Sequence, residues 1–191
     1  MEDFYRYYDQ EAYLFGEVSE RYRREQRITA FDFFCIVIWK ANRAKSKIAK
    51  RLLNKGTEEQ KYDNLQSAVD ALIEAITIVE CDKERMRVLI NEWGFRLPMA
   101  SAILSVLFPE KFTIYDSRVC EELHDFSDAQ EKKVFDALWK RYSDYIMKIR
   151  EAVPEKQSLR DKDRFLWGKS FALQLEDNIT YCFKKGDDDV L

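Results

Sequence analysis

Turn-forming residues are scarce in this sequence, with five glycines and three prolines among 191 residues. β-Sandwiches, barrels and glycine-rich nucleotide folds need many tight turns, and the scarcity argues against all three. Histidine is scarcer still, with His124 alone, and the four cysteines (Cys35, Cys81, Cys120, Cys182) stand far apart without a CxxC pair. Zinc sites and histidine-based triads are thereby all but excluded, so no metal is expected. A carboxylate site needs no histidine and stays open. Cys35, flanked by Phe34 and Ile36, reads as a small buried hydrophobe, and the other cysteines read as structural. The longest strongly apolar run, Phe33 to Trp39, falls far short of the roughly 20 residues that span a bilayer. The acidic, aromatic N-terminus MEDFYRYYDQEAYLFGE is unlike a signal or transit peptide, and a cytoplasmic protein with no membrane partner is expected.

What the sequence does have is apolar bulk and helical periodicity. Apolar residues make up 46% of it and aromatics 14%, enough for a sizeable core, and the length fits one domain. That domain is expected over residues 1–186, with 187–191 as a frayed acidic tail. Thr29 is a natural N-cap, followed by Phe33, Ile36, Val37, Lys40 and Ala44 at helical spacing. Gly56 closes that region and Thr57-Glu-Glu-Gln60 opens the next as a capping box, with Leu65, Val69, Leu72, Ile73 and Ile76 on an apolar face. Asp82 is expected to cap a helix from Lys83 to Trp93, with Gly94 as its left-handed terminator. Pro98 suits the first turn of the helix MASAILSVLF. Phe112-Thr-Ile-Tyr115 reads as extended, with Asp116 or Ser117 capping the next helix. Ser127-Asp-Ala-Gln130 and Ser158-Leu-Arg-Asp161 read as capping boxes, and a last helix runs from Leu159 to about Glu176. The aromatic N-terminal helix bearing Tyr5, Tyr7, Tyr8 and Tyr13 is expected to pack on the body or a partner. The class is all-α, with short connections.

Charge is segregated. Between Phe33 and Thr57 there is no acid, while Lys40, Arg43, Lys45, Lys47, Lys50, Arg51 and Lys55 supply seven positive charges. The rest of the chain carries −10 against a net −3. Such a local positive field can meet a phosphate backbone even on an acidic protein, although a solvated helix face is the simpler reading.

The run EWGFRLPMASAILSVLFPEKFTIYDSRVCEEL, residues 92–123, ends one helix at a glycine, starts a small-residue helix, and delivers one carboxylate at the next helix start. It resembles the core of the helix-hairpin-helix DNA glycosylase superfamily, to which endonuclease III and 8-oxoguanine DNA glycosylase belong. Pro98-Met-Ala-Ser-Ala102 matches the helix start, and Ile114-Tyr-Asp116-Ser-Arg-Val119 matches the aspartate segment. Upstream, Ile38-Trp-Lys-Ala-Asn42-Arg-Ala-Lys-Ser-Lys-Ile48 resembles the early helix pair, which faces DNA near the extruded base. The matches cover about residues 28–123.

The resemblance implies two helical halves around a cleft with Asp116 at its bottom. Asp116 would stabilise the oxocarbenium ion of a breaking N-glycosidic bond and activate water; its competing role is an N-cap, and the two can coexist. Lys40, Asn42, Arg43, Lys45 and Lys47 would meet the nucleic acid, together with Arg96, Met99 and Ser101 around the hairpin. Trp39 and Trp167 would hold the extruded base, against the alternative that each is core. No lysine stands in the first turn after the hairpin, which implies a monofunctional hydrolase without lyase activity. The hairpin departs from the family's L-P-G-V-G: Gly94-Phe-Arg-Leu-Pro98 has one glycine, so Arg96 would replace the backbone phosphate contact, the alternative being an exposed loop arginine with no partner. No cysteine cluster is present for an iron–sulfur site, and no other cofactor is implied. The alternative is a non-catalytic DNA-binding or protein-interaction module on the same fold.

Overall fold

The computed structural model describes residues 4–55 and 62–183, and all regular structure in them is helical. After a 3₁₀ turn (Phe4–Tyr7) come α1 (10–25), α2 (Ala30–Ala41), α3 (Lys45–Leu53), α4 (Leu65–Thr77), α5 (82–92), α6 (Leu97–Leu107), α7 (Ser117–Leu123), α8 (Phe135–Ala152) and α9 (Leu159–Thr180). Gly56, the capping box at residues 57–60 and the tail at 187–191 lie outside the described residues. No described helix is long and apolar enough to cross a membrane.

Local chemistry explains most boundaries. The Thr29 hydroxyl accepts from the Asp32 N–H, and the Asp32 carboxylate accepts from the Thr29 N–H, a complete capping box on α2. Ser158 caps α9 with one half of the expected box: its Oγ accepts from the Asp161 N–H, while the Asp161 carboxylate takes the Ser158 hydroxyl and not its N–H. Gly94 adopts φ +69°, which a Cβ would strain, and lets the chain reverse between α5 and α6. Asp82 departs from the expectation: it is the first residue of α5 rather than its cap, and its carboxylate pairs with Arg85 and Lys111. Ser127-Asp-Ala-Gln130 forms no capping box either. A single 3₁₀ turn (Ala129–Glu131) stands there, and the Ser127 carbonyl is taken by the Tyr115 hydroxyl. The periodicity from Phe33 to Ala44 is interrupted at Asn42–Ala44 by a 3₁₀ turn that separates α2 from α3. The last helix continues to Thr180.

Helix α6 is the centre of the core, with every residue but Pro98 buried, and its alanines and serines allow α2, α1 and α5 to approach closely. A second group, α7, α8 and α9, packs mainly on itself. Tyr7 and Tyr13 anchor the N-terminus, edge-on to each other, while Tyr5 and Tyr8 are exposed. Cys120 is buried and Cys35 half-buried, but Cys81 and Cys182 are exposed, so the structural reading holds for two of the four.

Between the two groups runs an extended segment, 112–116, with no sheet to satisfy its backbone. Side chains take that role instead. The Tyr142 hydroxyl donates to the Thr113 carbonyl (2.5 Å) and the Tyr145 hydroxyl to the Ile114 carbonyl (2.9 Å), while Ser101 Oγ accepts from the Tyr115 N–H (2.9 Å). Both tyrosines are fully buried, and unmatched backbone groups there would be costly. This latch fixes where Asp116 emerges.

Candidate functional site

Asp116 leaves the extended segment as the N-cap of α7. One carboxylate oxygen accepts from the Arg118 N–H (3.1 Å), and the other from the Lys40 ammonium at the end of α2 (2.6 Å). Helix cap and ion-pair partner are therefore the same group. The two side chains retain only 15% (Lys40) and 21% (Asp116) of their exposure, so the pair is partly withdrawn from water and its attraction is stronger than at an open surface.

Two hollows meet at this ion pair. One, of about 470 Å³, is lined by Trp39, Lys40 and Ile114 on one side and by Arg160, Asp163 and Trp167 of α9 on another, with Glu11 of α1 and Arg164 at its rim. That volume lies within the usual range of small-ligand sites. The other hollow is wider and more polar, and shares Lys40 and Asp116 with the first; Ser117, Cys120, Glu121 and His124 contribute to it.

The first hollow contains a carboxyl that sequence reasoning missed. Asp163 is buried at 3% exposure and paired with Arg160. Burial, reinforced by the Asp116 carboxylate and opposed by Arg160 and Lys40, pushes its pKa up to about 7. A signal was available, because Asp163 falls on the Leu159, Leu166 and Ser170 face, an acid within a buried stripe. Arg160 also reaches Glu11 (3.1 Å) and lies over the Phe15 and Trp39 rings. Residues from α1, α2 and α9 are thus tied together around the hollow.

No protein-family model, curated protein or solved structure matches this chain.

The positions expected to matter divide into three sets. Asp116, Lys40, Trp39 and Trp167 come together at one hollow. Trp39 is half-buried, and Trp167 is 41% exposed and stacked on Phe171 with the Arg118 guanidinium over both rings, so Trp167 is not core. Lys40 faces inward to Asp116 rather than joining an open basic face. Asn42, Arg43, Lys45, Lys47 and Arg96 are exposed outside the hollow. Lys45 donates to the Asn42 side chain (2.7 Å), and the half-buried Arg51 donates to the Gly94 carbonyl, which fastens the basic helix α3 to the turn carrying Arg96. Met99 and Ser101 form the third set and correct the expectation. Both are buried in α6, and Ser101 Oγ is engaged with Pro98 and Tyr115, so neither side chain is presented to a polymer.

Among the described residues no group of three or more histidines, cysteines or acids could hold a metal. Burial pushes the Cys120 thiol up to about 11, which leaves it a poor nucleophile at neutral pH.

Proposed function

We propose that this protein engages DNA and hydrolyses the N-glycosidic bond of a damaged or modified base, Asp116 stabilising the oxocarbenium ion and activating the attacking water. The observation that carries the reading is the first hollow: a carboxylate emerging beside two tryptophans, in a space sized for one base with its sugar. A base taken out of the stack needs an apolar face to lie against, and Trp39 and Trp167 offer two. The turn between α5 and α6, followed by the extended run ending at Asp116, fits the arrangement that the resemblance to helix-hairpin-helix glycosylases implies. The exposed charges of Arg43, Lys45, Lys47 and Arg96, adjacent through the Arg51–Gly94 bond, supply a surface for the phosphate backbone.

A second reading is favoured by one specific observation. Both Asp116 oxygens already have protein partners, and the Lys40 ammonium offsets the negative charge that an oxocarbenium ion would need. On this reading the pair is structural, and the protein is a DNA-binding or protein-interaction module. Fluorescence anisotropy on a duplex carrying an abasic-site analogue, compared with the intact duplex at two salt concentrations, separates the readings. A marked preference for the analogue, with base release that Asp116→Asn abolishes, is the catalytic outcome. Equal, salt-sensitive binding is the module outcome, and absence of binding at low salt refutes both DNA readings.

A further inference from the structure

The hollow holds two carboxyls from different elements in unlike surroundings. Asp116, on the extended segment, is held by an ammonium and a backbone N–H. Asp163, on α9, is almost wholly enclosed, and its partner Arg160 is shared with Glu11. The groups facing Asp163 are Glu11 of α1, Lys40 of α2, Asp116, Arg160 and Arg164 of its own helix, and the buried Tyr142 and Tyr145 of α8. Paired carboxyls with environments this different commonly divide acid and base roles.

We infer that Asp163 is the proton donor to the departing base, and that the substrate class is a base that leaves readily only when protonated, such as an uncharged purine; the inference rests on the glycosidic-bond reading above. The chemistry balances without any further reactant. The C1′–N bond breaks and its electron pair departs with the base, while the Asp163 proton passes to a ring nitrogen of that base. Water adds its oxygen to C1′ and gives a proton to Asp116. Asp116 then releases that proton to solvent, and Asp163 takes one up. The net change is addition of one water across the glycosidic bond. Enclosure serves this role twice: it keeps the carboxyl protonated near neutrality, and it places the acid against a base lying between indoles instead of in bulk water.

The test uses duplexes with a single hypoxanthine, which leaves as a neutral base only if protonated, or a single 7-methylguanine, already cationic and needing no proton. Asp163→Asn should slow hypoxanthine release by about 100-fold or more and leave 7-methylguanine release within about threefold, the range expected for loss of a general acid. Asp116→Asn should lose both. Wild-type hypoxanthine release should also fall as pH rises through about 7, a limb missing from Asp163→Asn. Binding of a duplex with an abasic-site analogue checks that the variant is folded. Equal loss of both bases, or unchanged hypoxanthine release, overturns the role of Asp163 and leaves the glycosidic-bond reading standing. Wild-type release of 7-methylguanine alone does the same. Release of neither base by the wild type overturns that reading and this inference together.

Discussion

Replacing Asp163 with asparagine should change how stability depends on pH. In the folded protein the carboxyl titrates at about 7, against an ordinary 3.8, because burial opposes its charge more than Arg160 supports it. Below about pH 4 both folded and unfolded chains keep the proton, and the group contributes no pH dependence. Between about 4 and 7 the unfolded chain releases it and the folded chain retains it. The unfolded state then binds fewer protons, so stability falls as pH rises and levels off above about 7. About three pH units at roughly 1.4 kcal/mol each give a total on the order of 4 kcal/mol, a large share of the 5–15 kcal/mol typical of a domain. Asparagine fills nearly the same volume and can still accept from Arg160, but it cannot ionise. Urea unfolding of both proteins between about pH 5 and 8 isolates the effect, since every other titrating group is common to the pair. The wild type should lose about 2–3 kcal/mol relative to Asp163→Asn over that range. Parallel curves would refute the assignment of a raised pKa to Asp163, because a carboxyl titrating at or below its ordinary value is ionised in both folded and unfolded chains across that range.

The remaining predictions concern the latch, the ion pair and the basic surface. Tyr145→Phe removes the donor to the buried Ile114 carbonyl and should cost about 1–3 kcal/mol by urea unfolding; a loss near zero would mean that the extended segment is held otherwise. Asp116→Asn keeps an adequate cap but leaves Lys40 half-buried without its carboxylate, so the expected cost is about 1–3 kcal/mol, and a neutral result would show that the pair contributes nothing to the fold. Lys45→Glu with Lys47→Glu should weaken DNA binding and reduce its salt dependence, while thermal stability stays near wild type; unchanged binding would remove α3 from the interface.

Much of the helical order could be read directly along the chain. Thr29, Ser158 and Gly94 act where they stand, because capping and left-handed termination depend on a few consecutive residues. Asp82 and Ser127 carry the same local signal and do not cap, because Arg85 and Lys111 capture the Asp82 carboxylate and the chain around Ser127 is drawn to Tyr115. Asp116, Trp39 and Trp167, singled out along the chain, line one hollow together, while Asp163 beside them was not foreseen. Met99 and Ser101 were placed wrongly because a small-residue helix start has the same appearance whether it faces a polymer or a core.

The sequence by itself determined an all-helical chain, the caps at Thr29 and Ser158, the break at Gly94, and a basic stretch free of acids. Those properties arise from neighbours within one or two turns. Only the tertiary structure decided that Lys40 turns inward to Asp116, 76 residues away, and that Asp163 is enclosed beside them. It also decided that Tyr142 and Tyr145 hold the segment from which Asp116 emerges. The physical reason is that burial and pairing of charge depend on which distant elements meet, and no local pattern in a single sequence encodes that meeting.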